Sequence, residues 1–136
     1  LKVSSPTREK PVRVVTNRAH PSPNMASLID LLPRSVTLGR GGALAFCAIA
    51  ANEADFYPCL DATWEWETAP GQVIVLEAGG VMTGLKGEPF TYNKPDLLNG
   101  RFLVAPSLAW LEEMDVFDFQ EKLADSEFEF CVTSCR

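Results

Sequence analysis

Residues 41–51, "GGALAFCAIAA", are apolar almost all the way round any helix that they could form. A helix without a polar face has to be covered on every side, so this segment predicts a layered structure in which other elements enclose it. The chain has 136 residues, of which 46% are hydrophobic and 22% are charged. That composition is typical of one folded domain with a substantial core.

The segments around this helix alternate between β-branched runs and helical patterns. We predict strands at 11–16, 35–39, 54–60 and 101–106, a hairpin at 81–90, and a half-exposed strand at 127–133. We predict helices at 23–33, 69–80 and 107–123, the second beginning near Glu67 or Thr68. The fold class is therefore α/β, a mostly parallel or mixed sheet flanked by helices. Residues 1–106 form the main unit, and residues 107–136 form a tail of uncertain relation to it.

The charge and the cysteine count exclude several classes of protein. The net charge of −6 argues against a nucleic-acid binder, whose affinity depends on clustered Lys and Arg. No apolar run approaches the roughly 18 residues of a membrane span, and no signal-peptide pattern opens the chain. With four cysteines and one histidine, a zinc site is disfavoured. We expect a cytoplasmic protein with reduced thiols and with Cys47 in its core.

The stretch "WEWETAPGQ", residues 64–72, places acidic side chains just before an apolar helix. Free N–H groups and the helix dipole favour negative charge at a helix N-terminus. Glu67 is therefore either an ordinary stabilising acid of the first helical turn, or a carboxylate that bridges to a cation. The residues alone leave both alternatives open.

Six segments, in order, resemble the C-terminal signature of the inositol monophosphatase superfamily, and in particular its 3′(2′),5′-bisphosphate nucleotidase branch (CysQ type). They are "TNRAH" (16–20), "GGALAFCAIAANEADFYPC" (41–59), "EWETAPGQV" (65–73), "EAGG" (77–80), "YNK" (92–94) and "LLN" (97–99). The family pattern around the third of these is W-D-x-A-x-G. The resemblance extends over about residues 11–105.

The resemblance implies the C-terminal half of a layered α-β-α-β-α fold and hydrolysis of a phosphomonoester with Mg²⁺ as cofactor. The substrate that it implies is a nucleotide bisphosphate, typically 3′-phosphoadenosine 5′-phosphate. Glu67 falls on the metal-binding aspartate of the family. Arg18, His20 and Gly42 fall at substrate-binding positions, and no catalytic residue lies within this chain.

The chain also departs from the family pattern. Ala45 stands where the family has Lys, and Cys59 stands where it has Arg. The upstream D-P-x-D-G-T loop and the Glu-Glu metal ligands are not in this sequence, and Glu112-Glu113 is expected to be helix surface. The first residue is Leu1 and not Met, and a fragment of a longer protein is therefore one of our expectations.

Three hypotheses follow from these matches and departures. In the first, the chain is the C-terminal half of a nucleotidase that needs a missing N-terminal half or partner chain. Such a half is expected to expose an apolar face where the other half packs. In the second, it is a degenerate relative that binds a nucleotide or a partner without hydrolysis. In the third, the substrate is an inositol phosphate.

Overall fold

The computed structural model of the protein describes residues 1–7, 9–16 and 23–116, and within them the elements follow one another as a mixed α/β chain. The helices are α1 (Pro23–Asp30), α2 (Ala43–Ala50), α3 (Glu65–Glu77) and α4 (Leu108–Glu113). The strands are β1 (Val12–Thr16), β2 (Ser35–Gly39), β3 (Tyr57–Cys59), β4 (Thr63–Trp64), β5 (Val81–Gly84), β6 (Leu98–Asn99) and β7 (Phe102–Ala105).

Five of the strands make one mixed sheet. β1 and β2 are parallel, while β3 and β5 flank β7 in antiparallel pairs. The two groups are joined by a parallel bridge between Val14 and Phe56 and by a hydrogen bond of 2.8 Å from the Val15 N–H to the Phe56 carbonyl. The strand order is therefore β2-β1-β3-β7-β5, and β4 pairs separately with β6. The predicted α/β class with a mixed sheet is confirmed.

Both faces of the sheet are buried at its interior strand β7, which produces three layers there. Along β7, Phe102 and Val104 belong to one apolar cluster, whereas Leu103 and Ala105 belong to a second. The first cluster includes side chains of α2 and α3, and the second includes side chains of α1 and α4. Because successive side chains of a strand point to opposite faces, a strand covered on both sides is a continuous apolar run. This explains why "FLVA" does not alternate.

Most predicted elements are present, with changed boundaries. The strands predicted at 11–16, 35–39 and 101–106 and the helix predicted at 41–51 are confirmed. The helix predicted at 23–33 ends at Asp30, and only Tyr57–Cys59 of the strand predicted at 54–60 is extended. At 81–90 the chain reverses, with a bridge between Thr83 and Pro89, but the main partner of β5 is β7. The strand predicted at 127–133 and the end of the helix predicted at 107–123 lie outside the described residues.

The start of α3 was predicted wrongly. The helix begins at Glu65, two residues before the predicted start, so Pro70 lies in its interior rather than in its first turn. A proline there lacks the N–H that would bond to the carbonyl four residues earlier, that of Trp66. The helix continues through this point because hydrogen bonds of Glu65 and Glu67 hold its first turn and because its inner face packs against Phe46 of α2.

The apolar face of α3 that the sequence pattern indicates points outwards. Val73 and Leu76, which were expected to share a face with Ala69 and Gly80, are 60% and 49% exposed. The buried side of the helix carries Glu65, Thr68, Gly71 and Val75 instead. Gly71 allows this approach, since a Cβ at that position would overlap the Phe46 ring of α2. No helix in the described part of the chain is long and apolar enough to cross a membrane.

Candidate functional site at the start of α3

Glu67 is exposed and lies in the first turn of α3. Its Oε2 accepts a hydrogen bond of 2.8 Å from the backbone N–H of Trp64, the residue that precedes the helix. This is the acidic half of a capping box, in which the side chain at the third helical position satisfies a free N–H at the helix start. The bond occupies one carboxylate oxygen and leaves the other available to a ligand. The assignment of Glu67 as a metal ligand stays a prediction.

Glu65 has a different environment, although it is only two residues away. It is 7% exposed, and its carboxylate accepts the backbone N–H groups of Asn93 at 2.6 Å and of Lys94 at 3.4 Å. It also forms an ion pair with the Lys94 ammonium. The Lys94 side chain, opposed by burial and assisted by the two backbone N–H groups, holds the pKa of the Glu65 carboxyl below its usual value.

A second polar cluster lies beside this ion pair. The Asn99 Nδ2 donates to Thr63 Oγ1 and to Thr68 Oγ1, both at 3.0 Å, and the Thr68 hydroxyl lies 3.2 Å from the Tyr92 hydroxyl. Asn99 is 1% exposed, and its Oδ1 has no hydrogen-bond partner in the described part of the chain. Burial raises the pKa of Tyr92 above its usual value.

The ion pair and the polar cluster bring three motif segments together. "EWET" supplies Glu65 and Thr68, "YNK" supplies Tyr92 and Lys94, and "LLN" supplies Asn99. These segments are up to 34 positions apart in the chain, from Glu65 to Asn99. Their contacts fix the position of the first turn of α3, and through it the position of Glu67. Sequence analysis identified the segments but not these contacts, because polar pairs distant in sequence leave no periodic signal.

We expect Glu65→Gln to lower the midpoint of thermal unfolding at pH 7 and to weaken its dependence on pH. The Glu65 carboxyl has a lower pKa in the folded chain than in the unfolded chain, so its charge stabilises the fold above the unfolded pKa, about 4.3. This contribution is lost as the pH falls through the folded pKa. Thermal unfolding measured from pH 7 to pH 3 tests it, with Glu88→Gln as an exposed control. Parallel curves for the wild type and Glu65→Gln would contradict the assignment.

The substrate-binding positions that the resemblance implies are only partly described. Gly42 precedes α2 and is exposed, with φ +55°, a conformation that favours glycine. This backbone requirement accounts for the glycine without a ligand, and the assignment of Gly42 to substrate stays a prediction. Arg18 and His20 lie outside the described residues.

The described residues do not provide a complete metal site. They contain no group of three or more His, Cys, Asp or Glu side chains that could hold a metal ion. Mg²⁺ takes oxygen ligands in nearly octahedral geometry, and the resemblance implies one such ligand among the described residues, the carboxylate of Glu67. Glu112 and Glu113 are exposed on α4, as expected for helix surface. A Mg²⁺ site built on Glu67 therefore needs ligands from outside the described residues.

The comparisons with known proteins agree with this fold and these motifs. A sequence model described as the inositol monophosphatase family matches residues 2–115. The 3′(2′),5′-bisphosphate nucleotidase CysQ of Escherichia coli K12 is 30% identical over 97 residues, covering 71% of this chain and 39% of that protein. The crystal structure of CysQ from Bacteroides thetaiotaomicron is 33% identical with a TM-score of 0.65, covering 76% of this chain and 40% of the other.

A solved structure of lower sequence identity matches this chain in fold alone. Inositol monophosphatase II from Staphylococcus aureus has a TM-score of 0.67 at 20% identity, covering 96% of this chain and 48% of that chain. The chain belongs to the inositol monophosphatase family. It spans less than half the length of the CysQ relatives that it matches.

Proposed function

We propose that this chain is the C-terminal portion of a Mg²⁺-dependent 3′(2′),5′-bisphosphate nucleotidase that hydrolyses the 3′-phosphate of 3′-phosphoadenosine 5′-phosphate. The observation that carries the proposal is the similarity to the CysQ proteins over 97 residues. It is supported by the convergence of "EWET", "YNK" and "LLN" at the start of α3. The nucleotide and the magnesium ion come from this resemblance, and the contribution of this chain is the corner that presents Glu67.

In this proposal, Glu67 supplies one carboxylate to Mg²⁺, and the upstream half supplies the remaining ligands. Carboxylate oxygens suit Mg²⁺ because it is a hard cation. When bound, the metal neutralises charge on the phosphoryl group and activates a water. The Glu65–Lys94 pair and the buried Asn99 hold the first turn of α3 in place, so the position of Glu67 is fixed before any ligand arrives.

An exposed apolar stripe on α3 supports the need for a second half. Trp66, Val73 and Leu76 lie on its outer side with 61%, 60% and 49% of their surface exposed. The Trp66 ring stacks on Trp64 with 5.0 Å between ring centroids and 6° between planes. Leu44, at the start of the neighbouring helix α2, is 63% exposed. Such a surface is typical of an interface, and we propose that the other half of the family fold covers it.

A second candidate is a non-catalytic relative, and two buried positions favour it. Ala45 and Cys59, which replace a lysine and an arginine of the family pattern, are 0% and 1% exposed and belong to the core cluster around Phe46. Burial raises the pKa of the Cys59 thiol to about 12, so it is neutral at physiological pH. These two side chains cannot replace the cationic contacts that the family pattern has there.

The test combines the upstream coding sequence with an assay of phosphate release. We expect the purified 136-residue chain to release no phosphate from 3′-phosphoadenosine 5′-phosphate above background, since one carboxylate cannot build the metal site. We expect an upstream segment with a D-P-x-D-G-T loop, and Mg²⁺-dependent release when both parts are expressed together. Release by the chain alone, abolished in Glu67→Ala, would show that the proposed division into halves is wrong.

The two candidate functions differ in this experiment. A combined protein that binds the nucleotide without releasing phosphate would favour the non-catalytic relative. Release from inositol phosphates but not from the nucleotide would keep the enzyme class and change the substrate. Gly100 is exposed and has open space around it, so Gly100→Ala serves as a control for effects of expression and purification on the assay.

A further inference from the structure

A cavity of about 430 Å³ lies at the start of β1, beside residues 4–7, 10 and 11 of the N-terminal segment. We call it the Lys10–Arg13 cavity, after the two cationic side chains that line it. The start of β2 and the connection between α2 and β3 form its other walls. No described residue of α3 lines it, so it is separate from the candidate functional site. Its volume falls within the range of about 300–1,000 Å³ that is usual for small-molecule pockets.

The guanidinium of Arg13 is held in one orientation by the fold itself. Its Nε donates to Asp55 Oδ2 at 3.0 Å and its Nη2 donates to Asp55 Oδ1 at 2.9 Å. The same Nη2 lies 3.4 Å from the Asn52 Oδ1, which also accepts the Ser4 hydroxyl at 3.1 Å. These contacts do not use the Nη1 group, and the Arg13 side chain is partly exposed. A donor that is already fixed loses little conformational entropy when it binds a ligand.

The charges of the described lining residues favour an anion. Their one carboxylate is that of Asp55, which is buried and paired with Arg13. The Lys10 ammonium therefore leaves this lining with a net positive charge, although the whole chain is acidic. Hydroxyl groups, which can donate hydrogen bonds, line the cavity from the N-terminal segment. A guanidinium, an ammonium and hydroxyls are together the donors that bind phosphate and carboxylate groups.

The remaining wall of the Lys10–Arg13 cavity is apolar. Val36 of β2 is the register partner of Arg13 in β1, so the two side chains lie next to each other on the same face of the sheet. Val36 is 47% exposed, and Pro6 and Pro11 line the cavity with it. A bare inorganic anion would leave this apolar surface in contact with water. A ligand with an apolar part next to its anionic group covers it.

We propose that the Lys10–Arg13 cavity binds a small organic anion, with its phosphate or carboxylate group between Lys10 and Arg13 and its apolar part against Val36. The Arg13 Nη1 and the Lys10 ammonium are the charged donors for the anionic group. A neutral molecule of the same shape leaves these donors unpaired. None of the residues assigned to Mg²⁺ or to the nucleotide takes part, so the proposal is independent of the proposed function.

Titrations of the 136-residue chain with phenyl phosphate, benzoate, inorganic phosphate and phenol test the proposal in ¹H–¹⁵N spectra. We expect phenyl phosphate or benzoate to shift the Arg13 Nε–H and the Ser5 amide saturably, and phenol not to do so. The comparison of the two anions shows which anionic group the cavity prefers. Inorganic phosphate is expected to bind more weakly than phenyl phosphate, because it does not cover Val36.

Two variants separate the charged and the apolar contacts. Lys10→Gln is expected to raise the dissociation constant of the organic anion at least about threefold, the effect of one exposed charge pair. Lys86→Gln is the matched control, since Lys86 is also exposed and does not line the cavity. Val36→Ala is expected to weaken phenyl phosphate roughly twofold, because less apolar area is covered, and to leave inorganic phosphate unchanged.

Three outcomes would overturn the proposal. The first is the absence of saturable shifts at Arg13 and Ser5 with either organic anion. The second is an equal loss of affinity in Lys10→Gln and Lys86→Gln. The third is a set of shifts confined to Glu65 and Lys94, which would place the anion at the start of α3 instead.

Discussion

Gly71→Val is expected to destabilise the chain by at least about 3 kcal/mol, at or beyond the upper end for overpacked cores. Gly71 lies on the buried face of α3, where even a Cβ would overlap the ring of Phe46. That ring is confined by Tyr57, at 5.4 Å between ring centroids, and by Phe102, at 5.9 Å. Because the ring cannot move aside, α3 has to move away from α2. Urea unfolding followed by far-UV circular dichroism measures the effect.

Two further variants isolate the contact. Val73→Ala lies on the same helix but is 60% exposed, and we expect it to change the free energy of unfolding by less than about 0.5 kcal/mol. Combining Gly71→Val with Phe46→Leu, which removes part of the ring, is expected to destabilise by less than the sum of the single changes. Additive effects would show that α2 and α3 do not meet at this glycine.

The same glycine shows why the sequence predicted the helix α3 but not its orientation. An apolar stripe was taken as the inner face because large apolar side chains are usually buried. In α3 the inner face carries the polar residues Glu65 and Thr68, then Gly71, where Phe46 of α2 comes too close for any side chain, and then Val75. The large side chains Val73 and Leu76 are on the outer side. A rule based on periodicity places large apolar side chains inside, and it fails here because the close approach of α2 at Gly71 leaves no room for one at that position.

The long-range polar contacts could also not be predicted from the sequence. The buried Asp55 receives the Arg13 backbone N–H at 2.9 Å and its guanidinium at 2.9 and 3.0 Å, across 42 positions of the chain. The Glu65–Lys94 pair is similar. Each residue alone looks like an ordinary surface charge, and only the fold brings the partners together. The family resemblance identified the segments that carry the candidate site, whereas periodicity identified most strands and helices.

If the proposed function holds, Glu67→Gln in an enzyme assembled from this chain and a complementary half is expected to raise the Mg²⁺ concentration for half-maximal activity at least about tenfold. The reason is the loss of the negative charge from a ligand of a hard cation. The amide oxygen of glutamine can still accept the Trp64 N–H that Glu67 binds at 2.8 Å. The helix start is therefore preserved, and we expect the midpoint of thermal unfolding to change little.

Glu67→Asp distinguishes the same two roles, metal binding and stabilisation of the helix start, by affecting the second more than the first. Aspartate is one methylene shorter, so its hydrogen bond to the Trp64 N–H is weakened, and we expect a loss of stability of about 0.5–1 kcal/mol. It restores the shorter aspartate side chain that the family pattern has at this position, so activity is expected to be maintained or raised. A magnesium titration and a melting curve for each variant distinguish the roles. If Glu67 only stabilises the first turn of α3, a contribution of about 0.3–1 kcal/mol, the magnesium midpoint of Glu67→Gln will equal that of the wild type.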